Sequence, residues 1–212
     1  MLLHRLNRWA LIIGVVLFCA APLQANASTK QGLPLDVQKA QDYLNSLKTL
    51  KADFVMNAAE NVRLTGTFYL NRPGRLRFDF DDPVKDFIVA DGRFIYFYDD
   101  DLGEQSNAPI GATLADFLLR PDIRLSGDVM VTRIMRAAGL VQITVQQTED
   151  AGAGQLILGF DADSFELKKW RVIDSLGNIT EIDLVNVEKD AALKDELFYY
   201  IKPKKAGDNY NE

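Results

Sequence analysis

Histidine and cysteine are almost absent from this chain, with one of each in 212 residues. His4 and Cys19 both precede Ala25-Asn26-Ala27, a small-residue pattern of the kind a signal peptidase cuts after. Beyond that point the chain cannot assemble a Ser-His-Asp or Cys-His nucleophilic site, a His/Cys zinc site or a disulfide. Carboxylate, lysine and tyrosine chemistry stay open. A long hydrophobic run is also lacking. Ala10 to Ala21 is uncharged and apolar but falls short of the roughly 20 residues of a membrane-spanning helix. Following Arg5 and Arg8, it reads as the core of an export signal. A lipoprotein signal wants a small residue before its cysteine; here Phe18 stands there, so lipidation at Cys19 is not expected. Positive charge is in deficit too, with 24 basic against 30 acidic residues. Loss of Arg5 and Arg8 would deepen that deficit. Nucleic acid and anionic lipid surfaces are therefore poor partners by charge alone. The expected organisation is a cleavable signal peptide over 1–27 and a single exported domain over 28–212.

What the chain does have is alternation. After Pro34 and Asp36, a helix start by composition, Val37, Ala40, Tyr43, Leu44 and Leu47 recur at helical spacing and predict a helix from about Leu35 to Leu47. The period then drops from 3.6 to 2. Phe54 and Met56 mark one strand, and Leu64, Gly66, Phe68 and Leu70 a second that ends at the turn Asn71-Arg72-Pro73-Gly74. Leu76, Phe78 and Phe80 alternate with Arg75, Arg77 and Asp79 up to Pro83. Phe87 to Ala90 and Phe94 to Tyr98 flank the hairpin turn Asp91-Gly92. Asp99 to Ile110 reads as a loop, and Thr113 to Leu119 as a short helix closed by Arg120-Pro121. Five strands follow: Met130 to Met135, Leu140 to Gln146, Gln155 to Phe160, Glu166 to Asp174 and Ile179 to Val187. A short last strand is expected at Phe198 to Ile201.

Many antiparallel strands with two short helices predict a mainly β, barrel-like sheet with helices on one side. Whether its inward Phe, Tyr and Leu side chains fill a core or line a cavity is not decided by periodicity.

From Gly66 onward the order of residues carries a resemblance. Gly66-Thr67-Phe68-Tyr69-Leu70-Asn71-Arg72-Pro73-Gly74, Arg75-Leu76-Arg77-Phe78-Asp79-Phe80, Pro83, Ile88-Val89-Ala90-Asp91-Gly92 and Tyr96-Phe97-Tyr98 stand in sequence. Leu50-Lys51-Ala52-Asp53-Phe54 precedes them, and Trp170 to Asp174, Gly177, Thr180, Phe198 and Pro203 follow. Together they resemble the LolA family, the periplasmic lipoprotein carriers of Gram-negative bacteria, over roughly Pro34 to Pro203. The match is weak between Pro121 and Gln155. The resemblance implies an incomplete antiparallel β-barrel, a half-barrel covered by an α-helical lid, enclosing an apolar cavity. It implies a periplasmic carrier, not an enzyme, with no cofactor and no metal. The expected partners are acylated lipoproteins, an inner-membrane ATP-driven transporter that releases them, and a receptor at the outer membrane. The carrier itself is expected to be a monomer.

On that reading Arg72 shares a face with Phe68 and Leu70 and latches the lid; otherwise it is a strand-end arginine snorkelling to water. Phe68, Leu70, Leu76, Phe78, Phe80, Phe94, Tyr96, Tyr98, Trp170 and Val172 are expected to line the cavity, and Leu114, Phe117 and Leu118 the inner face of the lid. Plain core packing is the alternative at each. Arg75 and Arg77 are expected to be solvated. Asp99-Asp100-Asp101 lacks the spaced acceptors of a calcium loop and reads as a hairpin tip; Asp161 and Asp163 read as turn residues. The competing function is a carrier or sensor of some other lipid of the cell envelope. Such sensors carry a second domain, for which this chain ends too soon. A receptor of the same fold would carry its own lipid anchor, which Phe18-Cys19 argues against.

Overall fold

The computed structural model describes residues 32–58, 62–111 and 114–203, without the side chains of 114–116. The expected signal segment lies outside the described residues. One α-helix, α1 (Leu35–Ser46), is followed by eleven strands. The first six are β1 (Thr49–Asn57), β2 (Arg63–Asn71), β3 (Arg75–Phe80), β4 (Phe87–Asp91), β5 (Phe94–Asp99) and β6 (Glu104–Pro109). After a crossover come β7 (Val129–Ala137), β8 (Leu140–Gln147), β9 (Gln155–Asp161), β10 (Leu167–Ile173) and β11 (Ile179–Lys189). They form one antiparallel sheet in the order β6-β5-β4-β3-β2-β1-β11-β10-β9-β8-β7. Two meanders are thus zipped together along β1 and β11, and the sheet stays open, with β6 and β7 at its edges.

Two sequence expectations need correction. Residues 104–109 are a strand, not part of a loop. Glu104 to Pro109 is almost wholly exposed and lacks an apolar alternation, yet its backbone pairs with β5 from Phe94↔Pro109 to Asp99↔Glu104. An edge strand needs only backbone partners, and polar side chains with a proline suit an edge that must not recruit further strands. Phe198 to Ile201 is not a strand. A 3₁₀ turn spans Asp195–Phe198, and the following residues run without ladder pairing.

Cross-strand partners share a face, so the pairing traces one apolar surface across the sheet. Ile143, Leu158, Trp170 and Ile182 lie on it in β8 to β11, and Met56, then Phe68, Phe78, Ile88 and Phe97 carry it through β1 to β5. This face is concave. Phe78 and Trp170 stand four strands apart, about 19 Å on a flat sheet at roughly 4.8 Å per strand. Their ring centroids are 6.3 Å apart. Irregular registers in β7, β10 and β11 supply extra residues that bend the sheet, and Asn186 in the last adopts φ 52°.

Gly66 permits the tightest part of the bend. It pairs with Phe54 on one side and Phe80 on the other, and those two rings meet edge to face 5.5 Å apart. A Cβ at Gly66 would lie 2.0 Å from the Asp79 carbonyl oxygen and 2.9 Å from the Phe54 ring. Gly66→Ala must therefore displace backbone as well as a buried ring. It should cost about 1–3 kcal/mol, the range for overpacking, lowering the melting temperature by several degrees at about 2–4 °C per kcal/mol. Circular dichroism melting of the two proteins checks this; an unchanged midpoint would contradict the close packing described.

Candidate functional site

The connection from β6 to β7 joins opposite edges of an open, curved sheet, so it crosses the concave side. Its described residues, 110–111 and 114–128, carry a 3₁₀ helix, Leu114–Leu119. Phe117, Leu118, Leu119, Ile123 and Leu125 are buried along it. Helix α1 lies beside the crossing and buries Val37, Ala40 and Leu44 in the same core. Its polar side chains hold the crossing by the backbone. Asn45 donates to the Ile123 carbonyl (2.8 Å) and accepts from the Ile123 amide (2.9 Å), while Gln41 accepts from the Leu125 amide (3.1 Å).

Arg72 sits where these pieces meet. Its guanidinium donates to the carbonyls of Leu44 and Leu47 at the end of α1, the latter at 3.3 Å, and to the Arg120 carbonyl (2.6 Å) just past the 3₁₀ helix. The last carbonyls of a helix have no partner within it and attract cations. Helix α1 has no basic residue of its own in its last turn, so Arg72 supplies the missing cap from β2's end. The next turn adds a backbone bond, Gly74 N–H to the Leu119 carbonyl (2.9 Å). Burial lowers the Arg72 pKa below its ordinary value, with the Asp122 carboxylate opposing that shift. Nε is buried without a hydrogen-bond partner. An arginine snorkelling to water would make none of these contacts. Asn45 and Gln41, on the polar side of a helical stripe, went unread in the sequence because surface amides carry no periodic signal.

Under this cover the concave face leaves a half-enclosed cavity of about 340 Å³. Phe68, Leu76, Phe78, Trp170 and Val172 line it, and so does Leu118 from the crossing. Met56, Ile88, Ile95, Phe97, Ile182 and Thr180 complete the wall, Thr180 being the single polar member. Other expectations are corrected. Leu70 is 1% exposed, buried in the core and not at the cavity wall. Phe80 borders a groove beyond the cavity. Phe117 is wholly buried in the core under the Arg120 guanidinium. The side chain of Leu114 lies outside the described residues.

Phe94, Tyr96 and Tyr98 are on the opposite, convex face. In Phe94-Ile95-Tyr96-Phe97-Tyr98 every residue is apolar or aromatic, so alternation has no phase. Register decides it: Ile88 pairs with Phe78 on one side and Phe97 on the other, which turns Ile95 and Phe97 inward. Phe87, Val89 and Tyr98 instead form a small convex cluster with Tyr96 and Tyr200, the last stacked on Tyr96 at 5.0 Å. The C-terminal segment 195–203 lies against this face. It also partly covers Arg77, which donates to the Leu197 carbonyl (3.4 Å); the guanidinium lies 4.8 Å from the Phe87 ring centroid and bonds Asp79 (2.6 Å). Arg75 pairs with Asp195 (2.9 Å).

The acidic turns behave as read. Asp99 accepts the Leu102 amide (2.8 Å) within the β5–β6 hairpin. Asp161 accepts the amides of Ser164 and Asp163, and these bonds lower its pKa. Among the described residues no group of three or more His, Cys, Asp or Glu is placed to hold a metal.

Residues 45–201, which include every strand, the crossover and Arg72, match the family described as "Outer membrane lipoprotein carrier protein LolA". The chain belongs to the LolA family. A Methylobacillus flagellatus protein named outer-membrane lipoprotein carrier protein is 28% identical over 79% of this chain and 85% of its own length. One of the same name from Legionella pneumophila is 30% identical over 77% of this chain and 84% of its own. The solved structure of a LolA superfamily protein from Nitrosomonas europaea aligns at 9% identity over 77% of this chain and 97% of its own, with a TM-score of 0.42.

Removing Arg72 tests how the cover is held. Arg72→Leu leaves carbonyls of α1 and of the crossover without their donor, a loss of about 1.5–3 kcal/mol for hydrogen bonds to a charged group. Hydrogen exchange at the Ile123 and Leu125 amides should then run roughly ten- to a hundredfold faster. Amides of central β1 and β8 should change far less. Uniform acceleration would mean that Arg72 supports the whole fold and not the cover.

Proposed function

We propose that this LolA-family protein is a periplasmic carrier that shelters the acyl chains of lipoproteins and delivers them to the outer membrane. The observation that carries this reading is an apolar concavity under a segment to which Arg72 is hydrogen-bonded. A triacylated protein cannot cross an aqueous space alone. At about 0.8 kcal/mol per buried methylene, three long chains represent on the order of 30 kcal/mol. A carrier must hide that surface and still release it. The chain's work is binding and release, with no covalent step.

As it stands the half-enclosed cavity, about 340 Å³, is small beside three long acyl chains. In this reading the cover moves to admit them. The bonds of Arg72 belong to the closed form, so they compete with cargo, as any two-state equilibrium biased by a ligand demands. In this reading residues 1–27 are the export signal and 28–212 the working carrier. An ATP-driven transporter of the inner membrane loads it, and a receptor at the outer membrane unloads it. No helix among the described residues is long and apolar enough to cross a membrane, in keeping with a carrier that travels free.

Uptake tests the cavity. Phe78→Glu places a carboxylate on the buried concave wall, at a cost of several kcal/mol when acyl chains exclude its water. Val185→Glu makes the same change at an exposed position, where about 0.5 kcal/mol or less is expected. With both variants folded by circular dichroism, Phe78→Glu should lose capture of a triacylated peptide and Val185→Glu should keep it. Equal capture would dismiss the cavity as the acyl site. Release tests the latch. Arg72→Leu should accept labelled lipoprotein yet hold it about ten- to a hundredfold more tightly, the equivalent of the lost bonds. Delivery to outer-membrane vesicles at the wild-type rate would remove Arg72 from the release step.

A further inference from the structure

The concave face does not end at the cavity. Ile88 and Phe97 line it and also line a second depression of about 420 Å³, which continues over Phe80 and Leu102 toward the β5–β6 hairpin and reaches Phe87 and Tyr98 of the convex face at the strand ends. Phe97 is 45% exposed and Leu102 71% exposed, large apolar side chains left uncovered at this outlet. The two depressions share Ile88 and Phe97, so an acyl chain that outruns the cavity has an apolar path into this outlet. Three carboxylates border the outlet. Asp99 and Glu104 are paired across β5 and β6. Asp99 is two residues from Phe97 and so on the same face. Asp86 stands just before β4 and lines the same depression.

We propose that this groove is the outer, head-proximal part of the lipid site, and that its carboxylates select acyl ligands whose head bears no net negative charge. The inference rests on the carrier reading and deepens it. The tails of a phospholipid and of an acylated protein look alike to an apolar wall. The groups beside the tails differ: an anionic phospholipid brings a phosphate, whereas an acylated peptide terminus brings amides and esters. A phosphate in the groove would lie within about one Debye length, roughly 10 Å at 0.1 M salt, of all three carboxylates. Beside low-dielectric walls that repulsion should lower affinity about fivefold, and salt should erase it.

Trp170 lines the cavity and is the one tryptophan outside the export signal, so its emission reports occupancy in the mature protein. The probes are three ligands with identical short tails: dioctanoylglycerol, dioctanoyl phosphatidylcholine and dioctanoyl phosphatidylglycerol. The wild type should bind the first two about fivefold more tightly than the third at low salt. Asp86→Asn with Glu104→Gln should bring that ratio below about twofold, as should about 0.5 M sodium chloride on the wild type. Glu104→Gln alone, at an exposed edge-strand position, should give an intermediate ratio even if the double variant folds poorly. Binding of dioctanoylglycerol with no headgroup preference, or a preference unchanged in a folded variant, would overturn the inference and leave the carrier reading standing. Failure of all three to move Trp170 emission would overturn both.

Discussion

Two helical segments end at the same place on this molecule, and neither provides its own cap. Helix α1 stops with its last carbonyls facing the turn after β2, and the 3₁₀ helix of the crossover stops beside it. A single guanidinium serves both, because arginine carries its donors in a rigid fork that can reach several acceptors at once. That one cation, held among carbonyl dipoles, joins the cover to the end of α1, beside the Gly74 N–H to Leu119 carbonyl bond and the buried side chains of the crossover. Such a contact is strong when made and is lost as a unit. The amides of Gln41 and Asn45 align the crossover along α1, but they bind a neighbouring segment and do not join the cover to the sheet.

The need for that cover is topological. Strands β1 to β6 run out in one direction and β11 back to β7 in the other, so β6 and β7 finish at opposite edges. The chain between them must cross the sheet. The convex side is partly occupied by the C-terminal segment on Phe87, Tyr96 and Tyr98, and the apolar concave side gains by being covered. Burying Phe117, Leu119, Ile123 and Leu125 anchors the crossing. Leu118, between two anchored neighbours, is the residue that reaches the cavity. Bulges in three strands and the missing side chain at Gly66 set the curvature. That curvature turns an apolar face into a pocket, since a flatter sheet would have left Phe78 and Trp170 out of contact.

The LolA resemblance and the physical reading meet at Arg72 and separate on β5. Alternation worked wherever a strand mixed apolar with polar residues. Leu76, Phe78 and Phe80 interleave with Arg75, Arg77 and Asp79, and the inward face was plain. It failed on Phe94 to Tyr98, where both faces bury aromatic surface against different partners: the cavity on one side, Tyr200 on the other. It failed also at Glu104 to Pro109, where the strand exists for its backbone alone. Arg77, polar and outward, was assigned to solvent, yet a segment 120 residues away lies over it.

Sequence alone determined what could not be built, because chemistry needs residues that are present. Without histidine or cysteine after Cys19, the rest of the chain lacks the residues of the common nucleophilic and thiolate sites. It also determined the helix, ten of the eleven strands and about half of the cavity wall, since each is written in local periodicity or in the ordered motifs of the LolA family. Tertiary structure decided which of two apolar faces looks inward on β5, where the covering segment is tied, and that Asp86, Asp99 and Glu104 stand at the outlet of the cavity. These are relations between residues far apart in the chain. They follow from register and curvature, which accumulate strand by strand across the sheet and leave no mark in any one stretch of sequence.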